Sequence, residues 1–224
     1  MRLIRLCLML IAGGLLAAAA PAHDWRTTVV KLPSGAYAIG NPAAKVKLVE
    51  YLSFTCSHCA HFVAEARAPL HDNLVRRGVV RVEFRHAVRD PLDMTASLLA
   101  RCAGPRGFAG ASQAIFAAQA SWYAQGAQWW QANAETLRSQ PQLMQLKAAA
   151  NGSGLAELML GRGMTPTAIS QCFARAGDLN ILTAMTKASW AAIQGTPSFA
   201  INGKAVGGGD WPSLEPQLRA AGAR

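Results

Sequence analysis

A pair of cysteines three residues apart, in Cys56-Ser57-His58-Cys59, separates a short apolar run from a segment with helical periodicity. The apolar run, residues 46–52, is nearly continuous and partly β-branched, which is typical of a buried central strand. A helix that begins at the motif places the first sulfur over free backbone N–H groups, at the positive end of the helix dipole. Because a thiolate is stabilised there and is the reactive form of cysteine, the motif predicts a site of dithiol–disulfide exchange.

The segments around the motif indicate a βαβ unit. Apolar side chains at helical spacing follow it, namely Cys59, Phe62, Val63, Ala66, Leu70 and Leu74. Pro69 should kink this helix and Gly78 should end it. Alternating apolar side chains from residue 80 to 84 then predict a second strand, joined to the first by a right-handed crossover. Upstream, residues 37–39 are expected to form a short edge strand.

The middle of the chain has a different character. Residues 90–176 are rich in Ala, Gln, Leu and Met and predict short helices at about 92–102, 107–121, 126–137, 140–150, 154–161 and 165–175. Asp178 is the predicted N-cap of a longer helix that reaches Ile193. Residues 195–204 then predict a hairpin with an Asn-Gly turn, and 210–221 a closing helix. The layout is a β/α frame at both ends with an all-helical insertion between them.

The N-terminus has the pattern of a cleaved export signal. Two arginines within residues 1–5 precede an apolar stretch at 6–16 and a small-residue stretch at 17–22 that ends in an A-x-A site. The apolar stretch is shorter than the roughly 20 residues that span a bilayer. We therefore predict a signal peptide over residues 1–22 and a periplasmic mature protein, in an oxidising compartment where disulfides persist.

The basic charge of the chain does not indicate a nucleic-acid partner. The formal net charge is +10, from 22 Lys and Arg against 12 Asp and Glu. Loss of Arg2 and Arg5 with the signal peptide lowers the 22 basic residues by two and the charge to about +8. The remaining basic residues are scattered, with Arg76 and Arg77 adjacent. Such scatter favours a basic protein surface over a nucleic-acid or membrane site.

The mature chain would hold four cysteines, Cys56, Cys59, Cys102 and Cys172, which allow three pairings. The proximity of the first two makes 56–59 with 102–172 the natural choice. A bond between Cys102 and Cys172 would close a loop of about 70 residues, worth roughly 4 kcal/mol of unfolded-state entropy.

Two other interpretations of the 56–59 pair remain open. A structural zinc site could use His58 or His61, but zinc usually needs a second ligand pair at a distance. An inert disulfide would close so small a loop that it adds little stability. Exchange chemistry is favoured, and neither a metal nor a cofactor is predicted.

Residues 49–59, which include the motif, resemble the active-site segment of the DsbA-like thiol–disulfide oxidoreductases, and residues 195–199 resemble the cis-proline loop of that family. The order of elements is also similar, over roughly residues 28–222. The resemblance implies an α/β, thioredoxin-like fold, in which a central mixed sheet is flanked by helices. Residues 23–90 and 178–224 would form the thioredoxin-like domain, and residues 91–177 an inserted helical subdomain.

The resemblance implies a role for each residue of the motif. Cys56 would be the nucleophile that forms a mixed disulfide with substrate, and Cys59 the buried resolving thiol. His58 would tune the redox poise by stabilising the Cys56 thiolate, which is favoured over the alternative of a solvent-facing residue at the helix start.

Three further site residues come from the resemblance. Glu50 would be a buried acid that assists proton transfer at the resolving cysteine, unless it points off a sheet edge. Thr196 and Pro197 would bind an extended substrate, with Pro197 in the cis form, although an ordinary trans turn is the alternative.

The favoured function is an exported, monomeric enzyme that donates its Cys56–Cys59 disulfide to folding proteins that contain cysteine. The resemblance implies reoxidation by a DsbB-type, quinone-linked membrane oxidase. Ser57 in the motif and Thr196 before the proline depart from the best-known strong oxidases, which leaves the redox direction open. A disulfide isomerase or reductase, and a non-catalytic binding or chaperone module, are the alternatives.

Overall fold

A mixed sheet carries the cysteine motif at the end of a central strand. In the computed structural model, which describes residues 23–224, six strands form one sheet in the order β1-β2-β4-β3-β5-β6. The strands are β1 (Val29–Lys31), β2 (Tyr37–Ile39), β3 (Val46–Leu52), β4 (Val80–His86), β5 (Ser198–Ile201) and β6 (Lys204–Val206). The predicted signal peptide lies outside the described residues.

Strand β3 lies inside the sheet because it pairs on both sides. It runs parallel to β4, with Val46 opposite Val80, and antiparallel to β5, with Glu50 opposite Phe199. Most of its residues are buried, as the apolar pattern predicted. The predicted α/β fold with a mixed sheet is confirmed.

Strand β2 corrects one prediction. Residues Tyr37–Ile39 do not form an edge strand, because β2 pairs with β4 on one side and with β1 on the other. All three residues are buried. The outer position belongs to β1, a three-residue strand whose brevity gives the sequence no period to detect.

The helix after the motif changes its winding at the predicted break. Helix α1 (Ser57–Ala66) continues into a π-helical segment, Arg67–Val75, that contains Pro69. Proline has no N–H to donate to the preceding turn, so an ordinary α-helix cannot continue there unchanged. Gly78, with φ of 77°, ends the segment and donates its N–H to Val75 O at 2.9 Å. The π-helical form was not predicted.

Helices occupy the chain between β4 and β5. They are α2 (Pro91–Cys102), α3 (Gly104–Ala117), α4 (Gln119–Leu137), α5 (Gln142–Gly152), α6 (Leu155–Leu160), α7 (Pro166–Cys172) and α8 (Ala176–Ala192). The structure contains a disulfide between Cys102 at the end of α2 and Cys172 at the end of α7, with Cα atoms 5.5 Å apart. No helix within residues 23–224 combines the length and apolar character needed to cross a membrane.

The start of α8 corrects a second prediction. Asp178 is not the N-cap, because α8 begins at Ala176 and Asp178 lies in its first turn. Its carboxylate instead accepts a hydrogen bond from the buried Arg101, with Nη2–Oδ1 of 3.0 Å, and an ion pair forms with Lys31 at 3.2 Å. The Asp178 carboxylate, which the local pattern assigned to a helix cap, thus binds Arg101, a residue distant in sequence.

The C-terminal elements agree with the sequence patterns. Asn202 and Gly203 have φ of 50° and 83°, and they join β5 to β6 as an Asn-Gly turn. Helix α9 (Trp211–Ala220) follows, with the Asp210 side chain accepting the Ser213 N–H at its N-cap. Strand β5 pairs with β3, so the loop before β5 lies close to the motif at the end of β3.

Candidate active site

Cys56 lies where β3 passes into α1. Three loop residues, 53–55, follow the strand, and Cys56 is the N-cap of α1 with extended backbone angles of −89° and 116°. A helix leaves its first backbone N–H groups without intrahelical partners, and they point toward this position. The local sequence therefore places the Cys56 sulfur at the donor-rich end of the helix, as predicted.

The surroundings of Cys56 stabilise its thiolate. The first cause is a hydrogen bond with the Cys59 thiol, supplemented by Thr196 and by the backbone N–H groups of Cys59 and His58. Against the opposing effect of burial, these contacts lower the pKa of Cys56 from 9.0 to about 4. Cys56 is therefore ionised at neutral pH when the pair is reduced, which is the state in the structure.

Cys59 is buried more deeply than Cys56, of which 4% is exposed. Its side chain is completely buried, and desolvation raises its pKa far above the ordinary range for a thiol. The hydrogen bond with Cys56 acts in the same direction, while the backbone of Ser53 partly opposes it. The pair therefore combines one sulfur that is readily ionised with one that holds its proton.

The loop before β5 closes over Cys56. The Thr196–Pro197 peptide bond is cis, and Thr196 O lies 3.2 Å from Cys56 Sγ. A cleft of about 420 Å³ runs along this loop. Its lining residues are His58, His61, Gly195, Thr196, Pro197, Ser198, Gly209 and Asp210. Thr196 thus contacts Cys56 and also lines the cleft.

The two histidines near the motif have exposed side chains. The backbone N–H of His58, rather than its ring, is among the groups that stabilise the Cys56 thiolate. His61 Nε2 lies 3.0 Å from Glu65 Oε1 on the next turn of α1. Within residues 23–224, no group of three or more His, Cys, Asp or Glu side chains is placed to hold a metal ion.

Glu50 is buried in β3, and the alternative of an edge position is wrong because β4 and β5 flank that strand. Among the described residues its Oε1 has no hydrogen-bond partner, and burial raises its pKa from 4.5 to about 8. Glu50 faces a small cavity that is also lined by His71 and Ser112. Desolvation lowers the pKa of His71 to about 4, so its ring is neutral. Glu50 is a carboxylic acid that still carries its proton at pH 7.

Polar residues missed by the sequence analysis surround the loop before Cys56. Asp90 and Asp93, at the start of α2, and Gln119, at the start of α4, all bond to residues 53–56. The spacing of Asp90, Pro91 and Asp93 is a recognisable helix-start signal. Gln119 has no local signal, because its partners are more than 60 residues away.

Comparison with known proteins agrees with this geometry. The chain matches the family described as Thioredoxin over residues 33–220. A protein-disulfide isomerase from Novosphingobium aromaticivorans has a solved structure that is 34% identical, with a TM-score of 0.76, over 82% of this chain and 95% of that one. Alpha-DsbA1 from Wolbachia pipientis, at 20% identity and a TM-score of 0.62, covers 85% of this chain and 92% of its own, and shows likeness of fold.

A curated relative matches a shorter stretch. A Rickettsia bellii protein with the name "Putative protein-disulfide oxidoreductase" is 31% identical over 74 residues, which is 33% of this chain. The match spans 29% of that relative's length. The family match, the mixed sheet and the 56–59 cysteine pair at the start of α1 together confirm the predicted resemblance. The chain belongs to the family described as Thioredoxin, and its fold is that of the DsbA-like structures.

Proposed function

We propose that this protein catalyses thiol–disulfide exchange through Cys56 and donates the Cys56–Cys59 disulfide to exported proteins that are folding. The observation that carries the proposal is the asymmetry of the pair. The Cys56 thiol, which is 4% exposed and contacts the cleft residue Thr196, has a pKa of about 4, whereas the Cys59 thiol is fully buried and holds its proton. A low-pKa sulfur is a good leaving group when a second substrate thiol resolves the mixed disulfide, and the buried Cys59 does not compete for substrate.

The proposed reaction has two displacements. A substrate thiolate attacks Cys56 Sγ, which forms a substrate–Cys56 disulfide and breaks the Cys56–Cys59 bond. Cys59 leaves as a thiolate and takes up a proton, for which buried Glu50 is the proposed source. A second substrate thiolate then attacks the substrate sulfur and expels the Cys56 thiolate. The substrate loses two electrons, and the enzyme pair is left reduced.

The direction of transfer follows from the relative stability of the reduced pair. An ionised, hydrogen-bonded Cys56 stabilises the reduced enzyme, and a stabilised reduced form makes the disulfide a stronger oxidant. The proposal also includes reoxidation by a DsbB-type membrane partner, a periplasmic location and a monomeric state. It assigns residues 23–90 and 178–224 to a redox domain and residues 91–177 to an inserted subdomain.

An isomerase is the second candidate, because the 34% identical Novosphingobium protein has the name of a protein-disulfide isomerase. Equilibration with glutathione distinguishes the two. A potential near −120 mV supports a disulfide donor, and one near or below roughly −200 mV supports the isomerase or reductase.

Refolding of reduced ribonuclease provides the activity test. The oxidised protein should restore ribonuclease activity, and Cys56→Ser should abolish this. A Cys102→Ala, Cys172→Ala double variant, which leaves the motif intact, is the matched control. Full activity of Cys56→Ser would favour the binding-module alternative and contradict the proposal.

A further inference from the structure

The loop between β3 and Cys56 is held by side chains from two helices of the region between β4 and β5. Helix α2 contributes Asp93 and helix α4 contributes Gln119, and both side chains are buried. Neither residue belongs to the β/α frame that carries the cysteine motif. Their contacts connect the helical region directly to the redox pair.

Asp93 accepts three hydrogen bonds with its two oxygens. Oδ1 accepts the Phe54 N–H at 2.9 Å, and Oδ2 accepts the Ser53 hydroxyl at 2.6 Å and the Arg89 N–H at 3.0 Å. Only 1% of the residue is exposed, so these donors take the place of water. All three partners are donors. Burial raises the pKa of Asp93 from 3.8 to about 7, and the hydrogen bonds from Ser53, Phe54 and Arg89 act against that rise.

Gln119 makes the complementary contacts. Its Nε2 donates to Phe54 O at 2.7 Å and to Cys56 O at 2.9 Å, so that both amide hydrogens meet backbone carbonyls. Cys56 O also accepts the Ala60 N–H at 3.2 Å, within the first turn of α1. Gln119 thus holds the backbone of the nucleophile itself.

These contacts act on both sulfurs through the backbone. The backbone of Ser53 acts on Cys59, and Cys56 must remain the N-cap of α1 for its sulfur to stay at the helix start, where the backbone of His58 and Cys59 lowers its pKa. We propose that Asp93 and Gln119 are positioning residues for the redox pair, because they fix residues 53–56 so that Cys56 Sγ stays at the helix start. The inference rests on the proposed exchange chemistry at Cys56.

Asp93→Asn tests the first contact set without a change of size. An amide has one oxygen and one NH₂ group, so either Phe54 N–H or Arg89 N–H must then face a second donor. Burial raises the pKa of Asp93 to about 7, so its carboxyl is protonated near pH 4, where Cys56 titrates, and the change to Asn removes no charge there. A rise in the pKa of Cys56 would therefore report lost positioning rather than lost charge.

Gln119→Met tests the second set, since methionine has similar length and no N–H to donate. Thr95→Val is the matched control, because Thr95 is a buried polar residue of α2 that bonds to Pro91 O and Leu146 O, away from the motif. Ser53→Ala removes one hydroxyl bond to Asp93 and serves if Asp93→Asn does not fold.

Two measurements, one on the reduced protein and one on the protein equilibrated with glutathione, test whether Asp93 and Gln119 position the redox pair. Thiolate absorbance at 240 nm against pH gives the pKa of Cys56, and equilibration with glutathione gives the redox equilibrium constant. We expect Asp93→Asn and Gln119→Met to raise that pKa by at least one pH unit and to shift the equilibrium at least tenfold toward the disulfide.

Two results would overturn the inference. In the first, the folded Asp93→Asn and Gln119→Met variants, or folded Ser53→Ala, keep the wild-type pKa of Cys56 and the wild-type equilibrium constant. The contacts would then be purely structural. The other is an equal shift in Thr95→Val, which would assign the effect to general destabilisation. Failure of the proposed function is distinguishable, because the wild-type protein would then show no reversible couple.

Discussion

Glu50→Gln should change how the stability of the oxidised protein depends on pH. Burial raises the pKa of Glu50 from 4.5 to about 8, so folding favours the protonated acid. The folded state then binds more protons than the unfolded state between these two values, and its stability must fall as pH rises through them. At about 1.4 kcal/mol per pH unit, the loss from pH 4.5 to 8 comes to about 5 kcal/mol. Glutamine has a similar shape and does not titrate.

Urea unfolding at pH 5, 6, 7, 8 and 9, followed by tryptophan fluorescence, measures this effect. The oxidised protein is used because Cys56 does not titrate in a disulfide. The unfolding free energy of wild type relative to Glu50→Gln should fall steadily up to pH 8 and then level off. Glu157→Gln, the same change on an exposed side chain, is the control and should leave the slope unaltered. Parallel curves for wild type and Glu50→Gln would refute the argument.

Three further outcomes are expected. Cys59→Ala should raise the pKa of Cys56, measured by thiolate absorbance, because the largest stabilising contact is lost, whereas Cys59→Ser should keep much of the effect. His58→Ala should move that pKa less than Cys59→Ala does, since the contact from residue 58 is a backbone N–H; a larger shift would show that the ring acts on the sulfur. The Cys102→Ala, Cys172→Ala variant should lose roughly 4 kcal/mol in urea unfolding, and an unchanged midpoint would contradict the loop-entropy argument.

Elements with a clear period or a local signal could be predicted from the sequence. The apolar run of β3, the alternation of β4 and the Asn-Gly turn before β6 all lie where their patterns indicated. These signals depend on neighbours a few residues away, which the sequence displays directly. The three-residue strand β1 has no such period, and β2 was therefore misplaced at the edge of the sheet.

The parts of the site that depend on distant partners could not be predicted in the same way. The 56–59 motif predicts a low-pKa sulfur at a helix start, and that environment is present. The contacts of Asp93 and Gln119 join residues that are 39 and 65 positions from Phe54, and no local pattern records them. Asp178 failed as a predicted cap for the same reason, because Arg101 lies 77 positions away.

The Cys56 environment combines contributions from three parts of the chain. Helix α1 supplies the Cys59 thiol and backbone N–H groups, the loop before β5 supplies the Thr196 side chain, and the helical region holds the backbone that carries the sulfur. A short CxxC segment alone would provide the first contribution but not the other two. Because hydrogen bonds weaken steeply as their geometry degrades, the position of the Cys56 backbone affects how strongly the N–H groups of α1 act on the sulfur. The redox poise should therefore respond to changes in the helical region that leave the motif itself untouched.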